Sequence, residues 1–94
     1  MKRIAQPLVQ IDNERTKVTE WRFAPGTATG HHIHQYDYVI VPLTSGRLKQ
    51  ILPDGAEVTS ELEAGRCYFR KAGVEHDVVN ANDHEFAFVE IELK

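Results

Sequence analysis

The sequence predicts an all-β fold, a sandwich or barrel of short strands. Three observations carry this. Stretches rich in β-branched and aromatic residues, several of them alternating apolar and polar, recur along all 94 residues. Turn signals built on Gly, Pro, Asn and Asp separate them at short intervals. No segment shows a helical apolar period or a capping box. Short strands at regular spacing with turns between them are the pattern of sandwiches and barrels.

Taken in order, residues 7 to 11 are short and apolar and suit an edge strand, closed by the polar turn Asp12-Asn13-Glu14. Thr16 to Phe23 alternates, with Val18 on one face and Trp21 and Phe23 on the other. Ala24-Pro25-Gly26 breaks it, and Thr27 to Ile33 reads as the next strand. Val39 to Leu43 is an apolar run in which Pro42 calls for a sheet edge, a bulge or a strand end. Ser45-Gly46 turns the chain. Arg47 to Leu52 and Ala56 to Leu62 flank Pro53-Asp54-Gly55 and form a hairpin. Beyond the turn Glu63-Ala64-Gly65 come a short strand from Cys67 to Arg70, a loop from Lys71 to Glu75, and a strand from His76 to Asn80. Ala81-Asn82-Asp83 closes that strand. Glu85 to Leu93 is the long last strand, with Ala87, Val89, Ile91 and Leu93 on one face.

Residues 1–94 are expected to form one domain, small enough for a metal or a partner subunit to add useful stability. A formal net charge of -3 with scattered basic residues offers no footprint for nucleic acid. No run is apolar enough for a bilayer span, and the basic start Met1-Lys2-Arg3 lacks the apolar core of a signal peptide. One cysteine, Cys67, excludes an intrachain disulfide. The expected partners are a small-molecule ligand and a second copy of the chain, with no nucleic acid and no membrane, in the cytoplasm. The homodimer is expected from the small size and from the apolar N-terminal strand, which needs a partner.

The chemistry concentrates in Gly30-His31-His32-Ile33-His34, which holds three of the five histidines. In an extended chain His32 and His34 point to the same side. Two imidazoles side by side, with a third from His76, make one face of a metal site. Imidazole suits a divalent ion such as Fe(II), Zn, Ni, Cu or Mn without strong preference.

The spacing around these histidines resembles the cupin superfamily. Gly26, His32, His34 and Gly46 fall on the family's first motif, and Gly65, Gly73, His76 and Asn80 on its second. The resemblance is to short single-domain cupins, some of them labelled as β-alanine degradation proteins. It implies a jelly-roll, or double-stranded β-helix, barrel with the histidines in its mouth, commonly dimeric. Two positions depart from the motifs. Lys71 stands where the family has Pro, and Val39 where it has a Glu ligand. Valine cannot bind a metal, so the expected site is His32, His34 and His76 alone. Asp37, two residues before Val39, has three readings: a displaced fourth ligand, an outer partner of a histidine, or a solvated loop residue. The last two are favoured.

Other residues are weighed in the same way. His31 and His84 are expected at the surface. Tyr36 and Tyr38 either line the mouth or pack at a loop or dimer surface. Arg22, Arg47, Arg66 and Arg70 are the cations that could hold an acidic substrate, and the sequence does not choose among them. Cys67 fits a buried small residue. Trp21, Phe23, Phe69, Phe86 and Phe88 suit core or interface, and Asn80 a local hydrogen bond or an outer partner of the site.

Two functions follow. The first is a three-histidine non-haem oxygenase, with Fe(II) favoured, acting on a small polar metabolite; the resemblance adds that thiol dioxygenases and a diketone-cleaving dioxygenase among cupins use three histidines. The second is a cupin that holds a metal or small ligand without turning it over. A metal-free cupin using a histidine as general base ranks last.

Overall fold

The computed structural model describes residues 4–94; the first three residues, with the basic start of the chain, lie outside the described residues. The described residues form nine strands and no helix. These are β1 (Gln6–Asp12), β2 (Thr16–Phe23), β3 (His32–Ile33), β4 (Asp37–Pro42), β5 (Gly46–Ile51), β6 (Glu57–Leu62), β7 (Tyr68–Arg70), β8 (Glu75–Asn80) and β9 (Phe86–Leu93). They pair into a five-stranded sheet, β1-β2-β9-β4-β7, and a four-stranded sheet, β3-β8-β5-β6. Every strand pair is antiparallel. From β2 onward the chain crosses between the sheets repeatedly, which is the jelly-roll arrangement.

Strand period decides what faces inward. Tyr38, Ile40 and Pro42 of β4 are buried, as are His76, Val78 and Asn80 of β8. Phe23 and Phe86 are wholly enclosed, and Leu48 and Phe88 nearly so. The Phe23 and Phe88 rings sit 5.4 Å apart, a favourable aromatic separation. These rings belong to one core cluster, and Phe88 also lines the cavity beside the histidines.

Two elements differ from the sequence expectation. The strand expected over Thr27 to Ile33 is reduced to His32–Ile33 and an isolated bridge at Ala28. Gly30 adopts φ 87°, which an L residue avoids and which takes the chain out of the ladder. Cys67 is exposed rather than buried, because it lies in the loop after Gly65 and not in β7. Pro42 ends β4, as strand chemistry requires.

The motif glycine Gly46 has a steric reason. A Cβ there would meet the Asn82 side-chain oxygen at 2.7 Å. Asn82 cannot easily yield, since it accepts from the Arg47 N–H and donates to the Arg47 carbonyl. Asn80, in the second motif, is likewise structural. Its amide donates to the carbonyls of Phe23 and His84 and ties two loops together.

The outer face of the five-stranded sheet is apolar in a continuous line. The register places Ile11, Val18, Ile91, Val39 and Phe69 side by side across all five strands. Ile11 and Phe69 remain about half exposed. This row includes the Ile91 face of β9 read from the sequence, and it is the outside of the barrel. No helix among the described residues is long and apolar enough to cross a membrane.

Candidate metal centre

The three histidines reach one point by different routes. β3 pairs with β8 so that His32 lies directly opposite His76. His34 stands just past β3, yet its backbone bonds in both directions to the loop before β8. Its N–H donates to the Val74 carbonyl, and its carbonyl accepts from Gly73. The glycine of the second motif therefore seats a histidine of the first.

All three rings turn Nε2 inward. His34 Nε2 lies 3.0 Å from His32 Nε2 and 3.1 Å from His76 Nε2. Nitrogens bound to one ion at about 2.1 Å, at angles from square to tetrahedral, are about 3.0 to 3.4 Å apart, so the spacing suits a shared ion. The opposite nitrogens are held from behind. His32 Nδ1 lies 2.9 Å from the Gly30 carbonyl, and His76 Nδ1 lies 3.4 Å from the Gln50 side-chain oxygen. His34 Nδ1 faces the Glu90 carboxylate at 3.7 Å. The acceptors behind His32 and His76 favour the proton on Nδ1 and leave those Nε2 lone pairs free for a metal. Three lone pairs this close repel one another unless a cation sits among them, so the donor set fits a divalent ion.

Burial sets the charge states. His34 and His76 are 7 % and 5 % exposed. Loss of water, reinforced by the neighbouring imidazoles, pushes each down to about 4. Both are therefore neutral, ligand-ready bases near neutral pH. The His34 ring also stacks on Tyr38, with centroids 3.9 Å apart.

The histidines open onto a cavity of about 280 Å³ whose lining includes Trp21, Tyr38, Gln50, Tyr68, Arg70 and Glu90. Glu90 was not found from the sequence. Desolvation, with Glu92 nearby, pushes its carboxyl up to about 7. The signal for it was its parity with Phe86 and Phe88, which β9 turns inward. Both faces of β9 begin apolar, so parity alone did not choose.

The sequence candidates sort cleanly. His32, His34 and His76 come together as a group that could hold a metal ion. Asp37 does not join them. It is exposed at the start of β4 and accepts a hydrogen bond from the Ala72 N–H at 2.8 Å. Val39 also faces outward, so a ligand at that position would point away from the histidines; the inward neighbour is Tyr38, on the His34 ring. His31 and His84 are exposed, and Tyr36 is outside the cavity lining.

A two-sheet jelly roll with three imidazoles converging beside its cavity defines the cupin class. The chain belongs to the cupin-domain family, whose profile matches residues 19–92. It is 58% identical over 90 residues to the beta-alanine degradation protein BauB of Pseudomonas aeruginosa, covering 96% of this chain and 94% of that protein. The crystal structure of a cupin domain from Bordetella pertussis is similar at TM-score 0.95 and 57% identity, over 100% of this chain and 97% of that one. The polyketide cyclase RemF of Streptomyces resistomycificus shares the fold alone, at TM-score 0.73 and 23% identity, over 98% and 68% of the two chains.

Proposed function

We propose that this cupin holds a divalent metal ion on His32, His34 and His76 and uses it to oxidise a small polar metabolite with O₂. Fe(II) is the favoured ion for this reaction; Zn, Ni or Mn could also occupy the site, and redox-inert Zn there would mean a bound metal without O₂ chemistry. The observation that carries this is the convergence of three Nε2 atoms, two of them on rings with an acceptor at Nδ1, at the wall of a cavity. When bound, iron would supply the open positions at which O₂ and substrate meet. The chain's own residues orient the imidazoles, exclude water with Trp21 and Tyr38, and place Glu90 beside His34, where its carboxyl can hold a proton. The name of the Pseudomonas relative concerns beta-alanine degradation, which supports a link to small amino-acid catabolism.

Anaerobic loading with Fe(II), followed by O₂ uptake against a panel of small thiols, amino acids and carboxylic acids, tests the reading. One iron per chain and substrate-dependent uptake are expected. Iron bound without uptake on any member would favour a second reading, a cupin that binds without turnover. Among the described residues, Glu90 and Glu92 are the carboxylates that line the cavity, which leaves few groups for acid–base work.

We also infer that the apolar outer row from Ile11 to Phe69 is covered by a second copy of the chain. A line of side chains across an entire sheet matches a two-fold, self-complementary contact. Light scattering should give twice the chain mass for the native protein and one chain mass for Ile91→Asp. A native monomer would overturn the assembly.

A further inference from the structure

Four arginines were equivalent in the sequence, and the fold separates them. Arg22 is paired with Glu20 and Glu85. Arg66 lies near Glu63 at the surface. Arg47 neighbours the inward Leu48 on β5 and so points outward. Only Arg70 lines the cavity that holds the histidines.

Arg70 is also poorly occupied. Among the described residues no carboxylate lies within ion-pair distance of it. Its one side-chain hydrogen bond runs from Nη1 to the Phe69 carbonyl at 3.3 Å. The guanidinium rests 4.8 Å over the Tyr68 ring, a contact that orients it without neutralising it. A guanidinium has five N–H donors in a planar fork suited to a carboxylate. Arg70 and the three histidines line the same cavity, so a small molecule held there can reach both.

The register explains how the cavity mouth is composed. On the inner face Glu92 of β9, Tyr38 of β4 and Arg70 of β7 are successive cross-strand neighbours. Tyr38 thus separates the acidic side from the basic side, and Arg70 keeps its charge for an incoming group. A divalent ion and Arg70 together outweigh Glu90 and Glu92 even with both carboxylates ionised, so the loaded cavity is net positive. A volume of about 280 Å³ holds roughly nine non-hydrogen atoms at the ~30 Å³ that liquid water occupies per molecule.

We propose that Arg70 is the anchor for the carboxylate of a small organic acid, which it positions with its other end toward the three histidines. This rests on the metal-site reading for what happens at that other end. It names a residue for substrate choice, distinct from the ligands.

The test is calorimetric titration of propanoate and of its neutral analogue propanamide into zinc-loaded and metal-free protein, native, Arg70→Gln and Arg70→Lys. Metal content and melting temperature are measured on the same samples. Propanoate is expected to bind the native loaded protein at least tenfold tighter than Arg70→Gln, since a charge-assisted pair is lost. Arg70→Lys should fall between them, and propanamide should not distinguish the variants. Metal content and melting temperature should not change with Arg70→Gln. Propanoate binding within twofold in native and Arg70→Gln protein, equal binding of acid and amide, or no propanoate binding at all would each overturn the proposal. A native protein that takes up no zinc would sink the three-histidine reading instead. Arg70-dependent propanoate binding by that metal-free protein would still uphold the anchor.

Discussion

His34→Ala is expected to abolish stoichiometric metal binding. His34 is the middle donor, with its Nε2 within 3.1 Å of both other Nε2 atoms. Removing it leaves His32 and His76 without the nitrogen between them, and the loss should exceed the roughly 10–100-fold cost of losing an outer partner. The consequence extends to stability. A ligand at 100 times its dissociation constant stabilises the native state by about 2.7 kcal/mol. In a chain of this length that is a melting shift on the order of ten degrees. The native protein should show that shift on adding metal, and the variant should show none. Elemental analysis beside a thermal melt measures both. Retention of one metal per chain by His34→Ala would refute the assigned centre.

The second large effect is the pH dependence of the metal-free protein. His34 and His76 are held down at about 4, below the ordinary 6.5 that an unfolded chain restores. Between about pH 4.5 and 6.5 unfolding therefore takes up a proton at each. Glu90 works the other way. Its folded value of about 7 lies above the ordinary 4.5, so unfolding releases a proton there in the same window. Two taken up less one released leaves a net uptake of about one proton. Stability should fall as pH falls through this window, by about 1.4 kcal/mol per pH unit for one proton. Glu90→Gln removes the opposing group, and the slope should roughly double. Denaturant unfolding of metal-free protein at pH 5 and pH 6.5 reads both slopes. An unchanged slope in Glu90→Gln, or stability that rises toward acid, would show that these groups are not buried as described.

The legibility of the sequence divided along physical lines. Turns are local chemistry, so the hairpin around Pro53-Asp54-Gly55 was readable, and the structure closes it with bonds between Leu52 and Ala56 and between Gly55 and Leu52. Strand period is local too, and it placed His32 and His34 on one side. What a period cannot say is which face is the inside. β9 carries apolar residues on both faces at its start, and only packing against β2 and β4 showed that Phe86, Phe88 and Glu90 point inward. The same ambiguity hid the outward direction of Val39 and Asp37.

By itself the sequence determined an all-β chain, the cupin spacing of its two motifs, and the three histidines that the fold gathers. These depend on residue type and short-range spacing, which every backbone respects. Tertiary structure alone decided that Asp37 caps a loop, that Glu90 stands behind His34, and that Arg70 is the one candidate arginine in the cavity. Those facts arise from strands far apart in sequence being paired in one register. Burial and electrostatic environment exist only once that pairing is made.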